Sequence, residues 1–214
     1  MGLREGYQMN THSSPVLAQT FATETNQLTK NIILAILGSI AIWISAKIQV
    51  PFYPVPMTMQ VFVILAIGAA YGSKLGLATV LLYLAEGAAG MPVFAGTPEK
   101  GIGLAYMMGP TGGYLIGFAL GAYVTGLLAE RGWDRNFLST AVAMLIGLAI
   151  VYVFGVAWLA APISAIAAMG GSSFAGIGLE GAVTHGFMPF VIGDLVKVAL
   201  AALLFPTIWR FISK

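Results

Sequence analysis

The stretch FMPFVIGDLVKVALAALLFPTIWRF, residues 187–211, decides the fold. It is long enough to cross a hydrocarbon layer, which takes about 20 helical residues. Within it stand two opposite charges three residues apart, Asp194 and Lys197. A carboxylate and an ammonium inside a membrane span each cost roughly 2.5 to 3.5 kcal/mol on insertion scales, so they need a partner, a cavity or a ligand. A spacing of three puts both on one helical face, with the carboxylate nearer the helix N-terminus, as the helix dipole favours. The two either neutralise each other structurally or form a binding site.

The rest of the chain supports a membrane setting. Of its 214 residues 58% are hydrophobic and 8% charged, against roughly 25% charged in soluble domains. Mean hydropathy is +0.89. Beyond 187–211, apolar runs occupy 31–48, 57–71, 75–90, 110–129 and 137–159. The expected fold is therefore all-α, a polytopic membrane protein with six transmembrane helices over residues 30–214. Residues 1–29 read as a polar, mobile N-terminal tail without the apolar core of a secretory signal. The second and third runs are short for a full crossing.

Alternating the six runs puts the three longer connections, 49–56, 91–109 and 160–186, on one side. The opposite side carries Arg4, Lys30, Lys74, Arg131, Arg135, Arg210 and Lys214, whereas the loop side carries Lys47 and Lys100. Basic excess marks the cytoplasmic face. Both termini are expected there, and the loops outside. Asp194 and Lys197 then lie in the outer half of the last span.

Irregular sequence clusters on the same outer side. In VPFYPVP, 50–56, each proline removes a donor and biases its predecessor toward extended backbone, so this segment is no helix. Irregular backbone at membrane depth is tolerated where protein or a water-filled cavity covers it, which points to an outward-facing small-molecule pocket. Gly113, Gly117 and Gly121 recur every fourth residue, the small-residue pattern of close helix packing in lipid, and Ala35 with Ser39 forms a similar strip. Glu86, at the end of the third run, either snorkels to the outer interface or reaches the cavity.

Several chemistries are excluded or weakened. There is no cysteine, and the only imidazoles are His12 and His185, so a metal site is not expected. A net charge of +2 suggests no nucleic-acid partner. No GxxxxGK[ST] loop is present, so ATP energy would have to come from a partner. Neither GxSxG nor HExxH occurs.

The strings PFYPVPMTMQ (51–60), GMPVFAG (90–96), GPTGGYLIGF (109–118) and PFVIGDLVK (189–197) resemble the BioY family, the biotin-specific S components of energy-coupling-factor vitamin transporters. The chain departs from the family's glycine-rich pattern at TPEKG, 97–101. The resemblance implies a six-helix protein of the cell membrane that takes biotin from outside, with no cofactor. A transmembrane coupling protein and ATP-binding subunits would be its partners. It also implies that Asp194 and Lys197 bind the ureido ring, a group with two N–H donors and one carbonyl. Phe52, Tyr53, Phe94 and Tyr114 become candidates for the apolar wall. Lys100, or backbone N–H groups near Thr111, would meet the carboxylate, and Ala35 and Ser39 would dock the partner. Three rivals remain: an S component for another vitamin, a solitary carrier proton-coupled through Glu86 or Asp194, and an intramembrane lipid-modifying enzyme using either carboxylate as base.

Overall fold

The computed structural model describes residues 14–20, 26–161, 168–170 and 172–212. Arg4, His12, Lys214 and parts of the N-terminal tail and of the 160–186 connection lie outside them. The helices are α1 (Leu17–Thr20), α2 (Gln27–Lys47), α3 (Gln60–Tyr71), α4 (Ser73–Ala88), α5 (Leu104–Met107), α6 (Gly112–Ala129), α7 (Phe137–Ala160), α8 (Gly178–Gly186) and α9 (Val191–Ile212), with a single 3-10 turn at Met188–Phe190 before α9. Among the described residues four segments are long and apolar enough to cross a membrane: Gln27–Lys47, Gly112–Ala129, Phe137–Ala160 and Gly178–Ile212. Helices α3 and α4, with 12 and 16 residues, rise about 18 and 24 Å, short of the hydrocarbon thickness. They lean on α6 instead.

Helix α6 is the hub, packed by α3, α4 and α7. Its glycines explain why. A Cβ on Gly117 would stand 2.7 Å from the Val151 Cα, and one on Gly121 would stand 3.0 Å from the Gly147 carbonyl oxygen. Backbone meets backbone along the α6–α7 seam, as the four-residue glycine spacing predicts. Helix α2 is peripheral, and Ile33, Leu37, Ile40 and Ile44 point outward along it.

One end of the bundle is tightly tied. Glu130 accepts from the Ser73 amide at 2.7 Å and from the Ser73 hydroxyl at 2.8 Å, capping α4 from the α6–α7 turn. The Ser14 amide donates to the Glu130 carbonyl at 2.7 Å, and Val16 and Leu17 are buried. Residues 14–20 thus pack on the bundle, unlike the free tail expected of 1–29, because two apolar side chains find a groove there. Helix α2 also starts at Gln27, ahead of the expected boundary.

Arg135 stacks over the Trp209 ring at 4.4 Å and donates to the Pro15 carbonyl at 3.2 Å. The Trp209 indole donates to Asp134, whose other oxygen is buried without a hydrogen-bond partner among the described residues. Burial pushes the Asp134 carboxyl above the usual carboxylate range, and the Trp209 bond and Arg135 only partly oppose this. A carboxyl raised in the folded state costs stability as pH rises through its folded value. Asp134→Asn is therefore expected to raise the thermal midpoint at pH 7. That gain should vanish as pH falls and the native carboxyl protonates, which thermal scans across pH would test.

The opposite end holds the irregular connections. A two-residue antiparallel ladder, β1 (Gln49–Val50) with β2 (Met57–Thr58), pairs Gln49 with Thr58 and Val50 with Met57. This small sheet is an addition to the expected all-helical fold. The prolines at 51, 54 and 56 force an extended excursion, and the flanking residues zip its base. Lys47 donates to the Phe94 and Thr97 carbonyls at 3.0 and 3.3 Å and to the Thr97 hydroxyl at 3.1 Å. That tie anchors the divergent 97–101 loop to the end of α2.

Candidate ligand-binding site

The 3-10 turn at Met188–Phe190 feeds α9 into the bundle, so that its first turns face β2, α3 and α7. Asp194 is 3% exposed and Lys197 8%. The Lys197 Nζ lies 2.8 Å from Asp194 Oδ1 and donates at 2.7 Å to the Thr58 carbonyl of β2. On the other side the Tyr152 hydroxyl of α7 donates to Asp194 Oδ2. Each charge is thus paired and hydrogen-bonded, the condition under which a buried ion pair is tolerated. Of the three ammonium donors, these bonds use two.

Beside the pair lies a narrow cleft with about 50 Å³ of free space. Tyr114, Leu115, Phe118, Val151 and Phe190 give it apolar walls, and Asp194, Lys197, Thr58, Gln60 and Thr111 give it polar points. Tyr114 is fixed by a 2.6 Å bond from its hydroxyl to the Gly186 carbonyl, which ties the wall to α8. Trp158 donates to the Gly109 carbonyl at 2.9 Å and holds the loop that enters α6.

Four of the residues singled out from the sequence meet at this cleft: Asp194, Lys197, Thr111 and Tyr114. The other three stand apart from its lining. Phe52 packs against Phe190, ring centroids 6.0 Å apart, one layer behind the wall. Tyr53 is 85% exposed and borders an outer crevice with Pro54, Lys100, Tyr106, Pro110 and Thr111. Phe94 is fully buried, stacked on Tyr106 at 4.8 Å and edge-on to Tyr83 at 5.5 Å, so it braces the cleft from the core.

Of the two docking candidates, Ser39 turns into the bundle and Ala35 borders a crevice between α2 and α4. Ser39 is 1% exposed and donates to Glu86 Oε1 at 3.0 Å, and Ala35 is half-buried. This strip faces α4, where small side chains let the two helices approach. Glu86 itself is half-buried on α4 and does not line the cleft. Sequence reading passed over Thr58, Gln60, Tyr106 and Tyr152. Thr58 and Gln60 sit within the string 51–60, and an amide opening an apolar helix is a usable signal. Tyr152 offers none, since a tyrosine in an apolar run is unremarkable.

Apolar helices around one buried polar site define a multi-pass membrane protein built to hold a small solute. The chain belongs to the BioY family, whose profile matches residues 11–214. It is 40% identical over 161 residues to the biotin transporter BioY of Thermotoga maritima, covering 75% of this chain and 85% of the relative. The probable biotin transporter BioY of Pyrococcus horikoshii is 37% identical over the same extent. Its fold resembles the crystal structure of the S-component for biotin from an ECF-type ABC transporter, with a TM-score of 0.68, 24% identity and coverage of 88% of this chain and 95% of the other. The family is one of transporters, so the reading of Asp194 or Glu86 as an enzyme's base falls away.

Proposed function

We propose that this chain captures biotin at the outer face of the cell membrane and delivers it to the cytoplasm as the S component of an energy-coupling-factor transporter. The observation that carries this reading is the buried Asp194–Lys197 pair beside an open cleft, in a chain whose relatives are named biotin transporters. The ureido carbonyl accepts the third Lys197 donor, and a ureido N–H donates to Asp194. Both are charge-assisted bonds, the stronger kind. The ring system packs on Tyr114, Leu115, Phe118 and Phe190, and the valerate chain runs toward the outer crevice, where Lys100 and Thr111 meet its carboxylate.

Six spans with both termini cytoplasmic complete the reading. It is supported by Lys74, Arg131, Arg135 and Arg210 on one side against Lys47 and Lys100 on the other. Energy comes from a transmembrane coupling protein and ATP-binding subunits, because the chain has no phosphate-binding loop of its own. Isothermal titration of the purified, ligand-stripped chain with biotin tests the assignment. Saturable 1:1 binding that thiamine and riboflavin do not compete is the expected result. A folded protein that ignores biotin would overturn it.

A further inference from the structure

The polar groups along the cleft have an order. From α7 to α4 they run Tyr152, Asp194, Lys197, Thr58, Gln60, Tyr83, each bonded to the next. Lys197 stands in the middle as a donor, with the Asp194 carboxylate on one side. What Gln60 offers on the other side depends on how its amide is turned, which is settled by its hydrogen-bond network. The buried Tyr83 hydroxyl donates its single proton to the Val93 carbonyl at 3.1 Å. It can then only accept from Gln60, so the NH2 group faces Tyr83, at 2.8 Å. The Gln60 oxygen is turned toward Thr58 and the cleft.

That oxygen is weakly engaged. The Thr58 hydroxyl approaches it at 3.4 Å, long for an O–H···O bond. Gln60 is 4% exposed and lines the cleft. The wall therefore presents acceptor, donor, acceptor: Asp194, Lys197, Gln60. A cyclic urea presents donor, acceptor, donor along one edge, its two N–H groups on opposite sides of the carbonyl. A single carboxylate cannot take both.

We infer that Gln60 is a ligand-binding and specificity-determining residue, its side-chain oxygen accepting the second ureido N–H while Asp194 accepts the first. Tyr83 is a positioning residue that holds the amide in the accepting orientation. This rests on the biotin reading above. It adds that the site demands both N–H groups of the ring rather than a urea-like carbonyl alone. A site built around a ligand donor rejects the analogue lacking it, because the buried acceptor is left unpaired.

The test titrates the full-length protein, stripped of ligand, with biotin and with two cyclic carbamate analogues, each having one ureido N–H replaced by a ring oxygen. Gln60→Ala is expected to weaken biotin roughly tenfold or more, the cost of a buried donor losing its acceptor. One carbamate isomer should bind wild type and Gln60→Ala equally, having lost the N–H that Gln60 meets. The other should still distinguish them. Tyr83→Phe should weaken biotin less, with the same preference between isomers.

A purely structural role for Gln60 would weaken all three ligands by one factor and overturn the inference. So would unchanged biotin affinity in Gln60→Ala while Asp194→Asn abolishes binding, a result that leaves the biotin reading standing. Absence of biotin binding by folded wild type would remove both. Should Gln60→Ala not fold, the wild-type protein alone decides. Weakening by only one of the two oxygen replacements, or by neither, contradicts a requirement for both N–H groups.

Discussion

Asp194→Asn lowers biotin affinity by at least about a hundredfold, corresponding to about 2.7 kcal/mol, while the helical circular dichroism of the protein persists. Asn keeps the shape of the side chain and an acceptor oxygen but removes the charge. The Lys197 ammonium, 2.8 Å away and 8% exposed, then stays buried with only neutral acceptors beside it, the amide oxygen and the Thr58 carbonyl. Removing one member of a buried ion pair costs roughly 3 to 5 kcal/mol, divided here between stability and binding. The reciprocal change, Lys197→Ala, leaves Asp194 held by Tyr152 alone and takes away the donor to the ureido carbonyl. Both variants should show lowered thermal midpoints in detergent along with weakened binding. Wild-type affinity in both would move the site away from α9.

Gly117→Leu abolishes folding whatever the ligand. Its Cβ alone would stand 2.7 Å from the Val151 Cα and 2.9 Å from the Val151 carbonyl oxygen, and both are backbone atoms of α7 that cannot rotate away. Overpacking a tight core costs typically 1 to 3 kcal/mol. Prying apart the two helices that carry Tyr114 and Tyr152 should cost more. No monodisperse peak on size exclusion, or a collapse of the thermal midpoint, is expected. Normal yield and wild-type stability would show that the α6–α7 seam is looser than the backbone contacts imply. Gly117→Ala, adding only the Cβ, should fall between.

Much of the fold was legible because a bilayer punishes exceptions. Six apolar runs read from the sequence correspond to the helices α2, α3, α4, α6, α7 and α9, and the prolines at 51, 54 and 56 lie outside regular helix. Asp194 and Lys197 were legible for the same reason: a charge at membrane depth has few acceptable environments. Gly113, Gly117 and Gly121 announced a close helix contact through spacing alone.

Less legible was the direction in which each uncharged side chain points. Lipid is as apolar as the bundle interior, so a span that is hydrophobic all round carries no period that separates its inner face from its outer one. Ser39 therefore reads as a docking residue but turns inward to Glu86. Phe94 reads as a ligand wall but is fully buried beneath Tyr106. The sequence by itself determined a helical membrane protein with one charged pair near the irregular end of its last span, because insertion costs are local and large. Only the tertiary structure decided that Tyr152 and Gln60 join that pair along one wall. Their meeting depends on the packing of α3 and α7 against α6 and of α9 against α7 and α3, which is set by contacts between residues far apart in the chain.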